Sequence, residues 1–151
     1  MNSLNLNQTL DHDRVDRLLK KLDLAYTPPL STLLDIRDYA TKLVEHATIL
    51  IADLDGSDIG IAAMYANDVT AKRAFLTTIG VLPDFRGFGI GSRMLEALIE
   101  IAQEQGMKTI LLEVHPSNTA AMRLYHKYSF VKTGHEEKHS YENSLFMMKQ
   151  L

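Results

Sequence analysis

The chain has no cysteine, which removes disulfides, thiolate nucleophiles and cysteine-ligated zinc from consideration. It has no basic excess: 16 Lys and Arg stand against 19 Asp and Glu, whereas a nucleic-acid partner calls for a basic face. No apolar run approaches the roughly 20 residues that span a bilayer. Met1 to Asp13 holds neither a basic segment nor a continuous apolar stretch, so no signal peptide is expected. Together these absences predict a cytoplasmic protein with no membrane or nucleic-acid partner. Its 151 residues, 46% of them apolar, suffice for the core of one domain, 1–151.

What is present alternates strand-like and helical patterns. Leu4 and Leu6 alternate with polar residues as a short first strand. Asp11 or Asp13 can cap a helix with Val15, Leu18, Leu19 and Leu22 on one face. Pro28-Pro29 ends that segment, since consecutive prolines cannot continue a helix. Ile36, Tyr39, Ala40, Leu43 and Val44 form the stripe of a second helix. Thr48–Leu54 and Ile59–Tyr65 read as strands joined at Asp55-Gly56-Ser57, with Ile59, Ile61, Ala63 and Tyr65 expected on one face. Phe75–Leu82 is a third strand of this sheet, and Gly80 near its end marks a bulge or a close backbone approach. A helix over Ser92–Gln105, ended by Gly106, packs through Met94, Leu95, Leu98, Ile99 and Ala102. Thr109–Val114 is apolar enough for a central parallel strand. Asn118 opens a last helix, and the strands Phe130–Thr133 and Ser144–Lys149 follow.

Between the third strand and its helix lies Arg86-Gly87-Phe88-Gly89-Ile90-Gly91, followed by Ser92. Glycines at alternate positions leave main-chain N–H groups unshielded, and the helix start adds its own unpaired N–H groups and dipole. That combination seats a phosphate or pyrophosphate.

Arg86-x-x-Gly89-x-Gly91, with Asn118-x-x-Ala121-x-x-Leu124-Tyr125-x-x-x-Ser129-Phe130 downstream, resembles the two signature motifs of the GNAT superfamily of N-acetyltransferases. The resemblance implies an α/β (more strictly α+β) fold. Its sheet would be mixed and mostly antiparallel, with helices on both faces and a splayed parallel pair at an acetyl-CoA cleft. It implies acetyl-CoA as cosubstrate, bound by the loop Arg86, Gly87, Phe88, Gly89, Ile90, Gly91 and Ser92. The strand Ile79, Gly80 and Val81 would pair with the pantetheine arm, opened by a bulge at Gly80, and Asn118 would contact that arm. By the same resemblance the Val81 N–H stabilises the thioester oxyanion and Tyr125 protonates the leaving thiolate. Glu113 takes the place of the base used by ribosomal-protein alanine members of the family. A carboxylate in an apolar strand should have its pKa raised, which suits a base near neutral pH. His115 and an ordered water are its rivals.

The implied activity is transfer of an acetyl group from acetyl-CoA to a primary amine within a ternary complex, since no cysteine can carry an acyl group. The acceptor, a small molecule or a protein amine, would enter between Tyr26–Leu34 and His135–Glu142, where Glu136, Glu137 and Glu142 favour a cation. A homodimer is compatible with these features. Ser129 departs from the glycine usual at the helix end and should carry local strain. Three other readings compete. A non-catalytic acetyl-CoA-binding regulatory protein would keep the cofactor site without turnover. Gly87-x-Gly89-x-x-Ser92 imitates a dinucleotide fingerprint, but Pro83-Asp84-Phe85-Arg86 separates it from the strand. His135-Glu136-Glu137-Lys138-His139 spells a zinc-peptidase motif in a polar turn that lacks the rigid helix such a site needs. No metal is expected.

Overall fold

A computed structural model describes residues 3–134 and 138–151. Seven strands form one sheet in the order β1-β2-β3-β4-β5-β7-β6. They are β1 Leu4–Gln8, β2 Thr48–Leu54, β3 Ser57–Asp68, β4 Arg73–Val81, β5 Thr109–Val114, β6 Val131–Lys132 and β7 Leu145–Gln150. All neighbours are antiparallel except β4 and β5. The helices are α1 His12–Leu22, α2 Ile36–His46, α3 Ile90–Glu104 and α4 Thr119–Lys127.

Local chemistry accounts for these boundaries. Asp11 caps α1 by accepting the Arg14 N–H, and Asp35 caps α2 by accepting that of Asp38. Asp55 and Gly56 both adopt positive φ (51° and 86°), the hairpin geometry that Asp-Gly favours between β2 and β3. α3 ends in a Schellman motif: the Gly106 N–H reaches the Gln103 carbonyl and the Met107 N–H that of Ala102. Ser129 takes a left-handed φ of 67°, the conformation that a side chain disfavours.

The sheet separates two cores. α1 and α2 bury Val15, Leu18, Leu19, Leu22, Tyr39, Ala40 and Leu43 against Ile49, Ile51, Ile61 and Ala63 on one face. α3 buries Ile90, Met94, Leu95, Leu98, Ile99 and Ala102 on the other, joined by Tyr125 and Phe130. Ile59 belongs to this second core and not with Ile61, Ala63 and Tyr65. The register shifts between Ala52 and Asp53, opposite Gly60 and Asp58, so Ile59 is the extra residue of a β-bulge. The bulge turns it and Gly60 to the α3 side, where a Cβ on Gly60 would approach the Met94 side chain. Asp58 stays on the α1 side, held by both nitrogens of the Arg14 fork at 2.8 and 2.7 Å.

A second bulge shapes the cleft. Ala63 pairs with Thr78 and Met64 with Leu76, leaving Thr77 unpaired. The expectation of a bulge at Gly80 is therefore corrected: it falls three residues earlier. Thr77 and Thr78 turn to the same face, where their hydroxyls meet those of Tyr39 and Tyr26. The pairing of β4 with β5 ends just before it, at Leu76 with Leu112, and the two strands diverge.

Candidate active site

The loop after β4 makes a short 3-10 turn at Pro83–Phe85 and enters α3 through Gly89, the N-cap. Gly87 and Gly89 both have left-handed φ, 85° and 77°, and a Cβ on either would meet open space. Among the described residues no main-chain carbonyl accepts the N–H groups of residues 87–92. A helix start leaves such donors free, and at two of the three loop glycines nothing lies within 4 Å of where a Cβ would stand. These groups fit a pyrophosphate.

The other loop side chains differ in what they do. Ile90 is buried and anchors the loop to the α3 core, while Phe88 is 75% exposed. Gly91 lies under Leu124, to which a Cβ would come within 3.7 Å. The Lys127 Nζ reaches the Ser92 hydroxyl at 3.5 Å, a cation beside the loop that the sequence motifs did not single out. Arg86 turns back into the protein. Its Nε donates to the Val81 carbonyl at 3.2 Å and its Nη2 to the Ala25 carbonyl at 3.3 Å.

Beyond Leu76 the edge of β4 is open. The Leu82 N–H donates to Ile59 on β3, and directions alternate along a strand. The main-chain groups of Ile79 and Val81 therefore turn away from β3, into the gap. Gly80 pairs with Ile61 on the β3 side. Its missing side chain makes room for Tyr26: a Cβ there would lie 2.9 Å from the Tyr26 hydroxyl. Close approach, the other reading of this glycine, is the one observed.

A cleft of about 320 Å³ opens where β4 and β5 part. Its far wall carries the last residues of β5 and the start of α4, its near wall the segment Tyr26–Leu34, and Ser140 and Tyr141 close one side. Tyr125 lines it from α4, itself only 6% exposed. The Tyr125 hydroxyl has no partner among the described residues, yet it is not among the sealed polar atoms, so it opens on the cleft. Burial pushes its pKa well above the ordinary tyrosine value, with Tyr141 and Tyr26 adding to the effect. Asn118 lines the cleft at the start of α4, its side-chain oxygen capping the Ala121 N–H.

Glu113 reaches the same space from β5. Its Oε2 accepts the Ser140 N–H at 2.8 Å and the Ser144 hydroxyl. The Ser144 oxygen in turn contacts His139 Nδ1. For Ser144 to donate to the carboxylate, His139 must carry a proton on Nδ1 and donate to Ser144. His115 stacks on Tyr141, ring centroids 6.2 Å apart, and its Nδ1 is held by Ser117. Burial, with the Glu113 charge nearby, pushes the Tyr141 pKa up to about 12. Sequence patterns missed Ser144 and named Tyr26 and Tyr141 only as members of the two acceptor segments, because contacts made across a loop leave no periodic signal.

The zinc-like motif lies partly outside the described residues, which exclude His135, Glu136 and Glu137. Among the described residues no group of three His, Cys, Asp or Glu side chains could hold a metal ion.

The model of the acetyltransferase (GNAT) family matches residues 15–130. The chain belongs to this family. A [Ribosomal protein bS18]-alanine N-acetyltransferase of Salmonella typhimurium is 39% identical over 74 residues, 49% of this chain and 50% of that protein. The chain thus spans about half the length of that curated relative. An uncharacterized N-acetyltransferase of Archaeoglobus fulgidus is 31% identical over 109 residues, 68% of this chain and 71% of that protein. Among solved structures, the PaiA N-acetyltransferase of Thermoplasma acidophilum in complex with coenzyme A superposes with a TM-score of 0.74 at 16% identity, covering 99% of each chain. Its mixed, mostly antiparallel sheet with one parallel pair is the fold of those neighbours. Among the described residues no helix is long and apolar enough to cross a membrane.

Proposed function

We propose that the protein transfers the acetyl group of acetyl-CoA directly to a primary amine held in the same cleft, with no acetylated enzyme between. The observation that carries this reading is the conjunction of free N–H groups at 87–92 with an open strand edge and the Tyr125 hydroxyl. The N–H groups of Gly87 to Ser92 hold the pyrophosphate, and Ile79 and Val81 hold the pantetheine arm as an added strand would be held. Asn118, whose oxygen is committed to its helix cap, offers that arm its amide N–H. Bound acetyl-CoA supplies an activated acetyl group as a thioester.

The residues of the chain then divide the work. An amine of ordinary pKa, about 10.4 for a lysine-like group, is protonated at neutral pH and must lose a proton before it attacks. Glu113 accepts that proton on Oε1, the oxygen its serine partners leave free, directly or through a water. The Val81 N–H donates to the acetyl carbonyl oxygen as negative charge builds there. Tyr125 donates its proton to the departing sulfur. Curated relatives that acetylate a ribosomal-protein alanine support a polypeptide amine as one acceptor class; a small-molecule amine is the other.

The test is CoA release from acetyl-CoA across a panel of primary amines, with intact-protein mass measured during turnover. Release only in the presence of amine, with no acetylated protein, is expected. Accumulation of acetyl-enzyme overturns direct transfer, and tight acetyl-CoA binding without release in any amine overturns the transferase reading.

A further inference from the structure

We infer that His139 is a positioning residue for the reaction: its Nδ1–H, acting through the Ser144 hydroxyl, fixes the carboxylate of Glu113. This rests on the reading of Glu113 as the base and adds what holds that base in place. The register of β5 and β7 brings the groups together. Glu113 pairs with Phe146, and Ser144, two residues earlier, lies on the same face within reach of a long side chain. The Ser144 oxygen contacts Glu113 Oε2 on one side and His139 Nδ1 on the other. The Ser140 N–H reaches the same Oε2 at 2.8 Å. The His139 ring is itself held, tilted against Phe146 with centroids 4.8 Å apart.

Ser144 is buried, 4% exposed, and has one hydrogen for two neighbours. An ionised Glu113 has none to give, so that hydrogen goes to Oε2. Nδ1 then faces an oxygen lone pair and must carry a proton itself. The chain therefore runs one way, from His139 to Ser144 to Glu113, and each bond polarises the next. Its direction matters to the carboxylate. With Nδ1 bare, Ser144 would have two acceptors for one hydrogen. Whenever it turned to His139, its oxygen would meet Oε2 lone pair against lone pair, and Glu113 would be pushed away. A protonated Nδ1 closes that alternative. Ser144 and Ser140 then both donate to Oε2, which sets the plane of the carboxylate and leaves Oε1 for the amine. Glu113 lines the cleft whereas His139 and Ser144 do not, so their contribution to turnover passes through the carboxylate they hold.

Proton–nitrogen correlation NMR of the intact protein reads the tautomer directly. At about pH 8, above the ordinary histidine pKa of about 6.5, the His139 ring should carry a proton on Nδ1. Its signals are assigned by their absence from His139→Phe. A bare Nδ1 in the wild type overturns the inference. Kinetics test the consequence. His139→Phe should lower kcat about tenfold, the scale of a slightly misplaced catalytic group, and leave the KM for acetyl-CoA unchanged. His139→Asn, whose amide N–H stands where the Nδ1–H stood, should recover most of that loss. With Ser144→Ala already in place the path is cut, and adding His139→Phe should cost less than about twofold. Additive losses overturn the positioning role and leave Glu113 as the base. So does a full kcat in His139→Phe when Glu113→Gln is impaired. A full kcat in Glu113→Gln overturns the base reading, and the inference with it.

Discussion

At the scale of single residues, the role proposed for Tyr125 and the room left by Gly80 are the assignments a substitution tests most directly. A tyrosine whose pKa is raised by burial stays protonated throughout the neutral range, the form that a proton donor to a leaving thiolate needs. Removing its hydroxyl leaves the ring packed against Phe130, 5.7 Å away between centroids. Tyr125→Phe should therefore lower kcat by about 100-fold with acetyl-CoA affinity unchanged. Steady-state kinetics and calorimetry check this, and full turnover in the variant makes Tyr125 a packing residue only. Gly80 works by what it lacks. A methyl group there collides with the Tyr26 hydroxyl and ring, 2.9 to 3.1 Å away, and pries Tyr26 from Thr78. Gly80→Ala should cost roughly 1–3 kcal/mol in urea unfolding, the usual penalty of overpacking. A stability equal to wild type would mean that Tyr26 moves aside freely.

At the scale of elements, Arg86 joins three of them: the end of β4 through Val81, the cofactor loop that contains it, and the near wall of the cleft through Ala25. The sequence motif marks Arg86 as a cofactor ligand, but its guanidinium is engaged with two carbonyls, and the proposed anion site is made of main-chain N–H groups. Arg86→Ala should thus raise the KM for the acceptor amine about tenfold, as misplacement of a positioning wall does, and change acetyl-CoA affinity far less. Measuring both constants decides it: a loss confined to acetyl-CoA returns Arg86 to the pyrophosphate. The same elements show what was legible beforehand. Thr48–Leu54 and Thr109–Val114 appear with their expected ends, because a continuous apolar run bounded by turn residues is a local property. The glycine loop and the Asn118 cap were legible for the same reason. The face of Ile59 and the place of the bulge in β4 were not legible because a bulge belongs to two strands at once. Nothing in the order Ser57 to Tyr65 says that β2 is one residue short opposite Ile59, and nothing near Thr77 says that β4 gains one. The cleft's hydroxyl pairs follow from that second bulge, so they too were invisible.

At the scale of the whole molecule, the site is built from groups that the fold keeps uncharged and from donors that it leaves unsatisfied, and each has a thermodynamic signature. Burial pushes the pKa of Tyr26 up to about 12, and those of Tyr39 and Tyr125 also rise. In the unfolded chain these groups ionise near 10. A folded pKa above the unfolded one gives stability that is complete below pH 10 and lost as pH climbs toward 12 and beyond. The slope is about 1.4 kcal/mol per pH unit for each fully buried tyrosine. Alkaline unfolding should therefore be cooperative, with tyrosinate absorbance rising together with the loss of helical circular dichroism. A tyrosinate signal that fully precedes unfolding would show the tyrosines to be solvated. The unsatisfied donors act in the opposite sense. Six consecutive N–H groups at the start of α3 have no main-chain acceptor among the described residues, so an anion that binds there binds only the folded chain. CoA at 100 times its Kd should add about 2.7 kcal/mol to unfolding, and Tm should rise by roughly 2–4 °C for each kcal/mol in a chain of this size. Gly89→Val separates the loop from the rest of the cleft. A branched residue resists the φ of 77° that Gly89 adopts, so the loop cannot hold its shape around a diphosphate. The variant should unfold at nearly the same temperature with and without CoA, whereas Tyr125→Phe should keep the full shift. An undiminished CoA-induced shift in Gly89→Val would mean that the diphosphate is held elsewhere on the molecule.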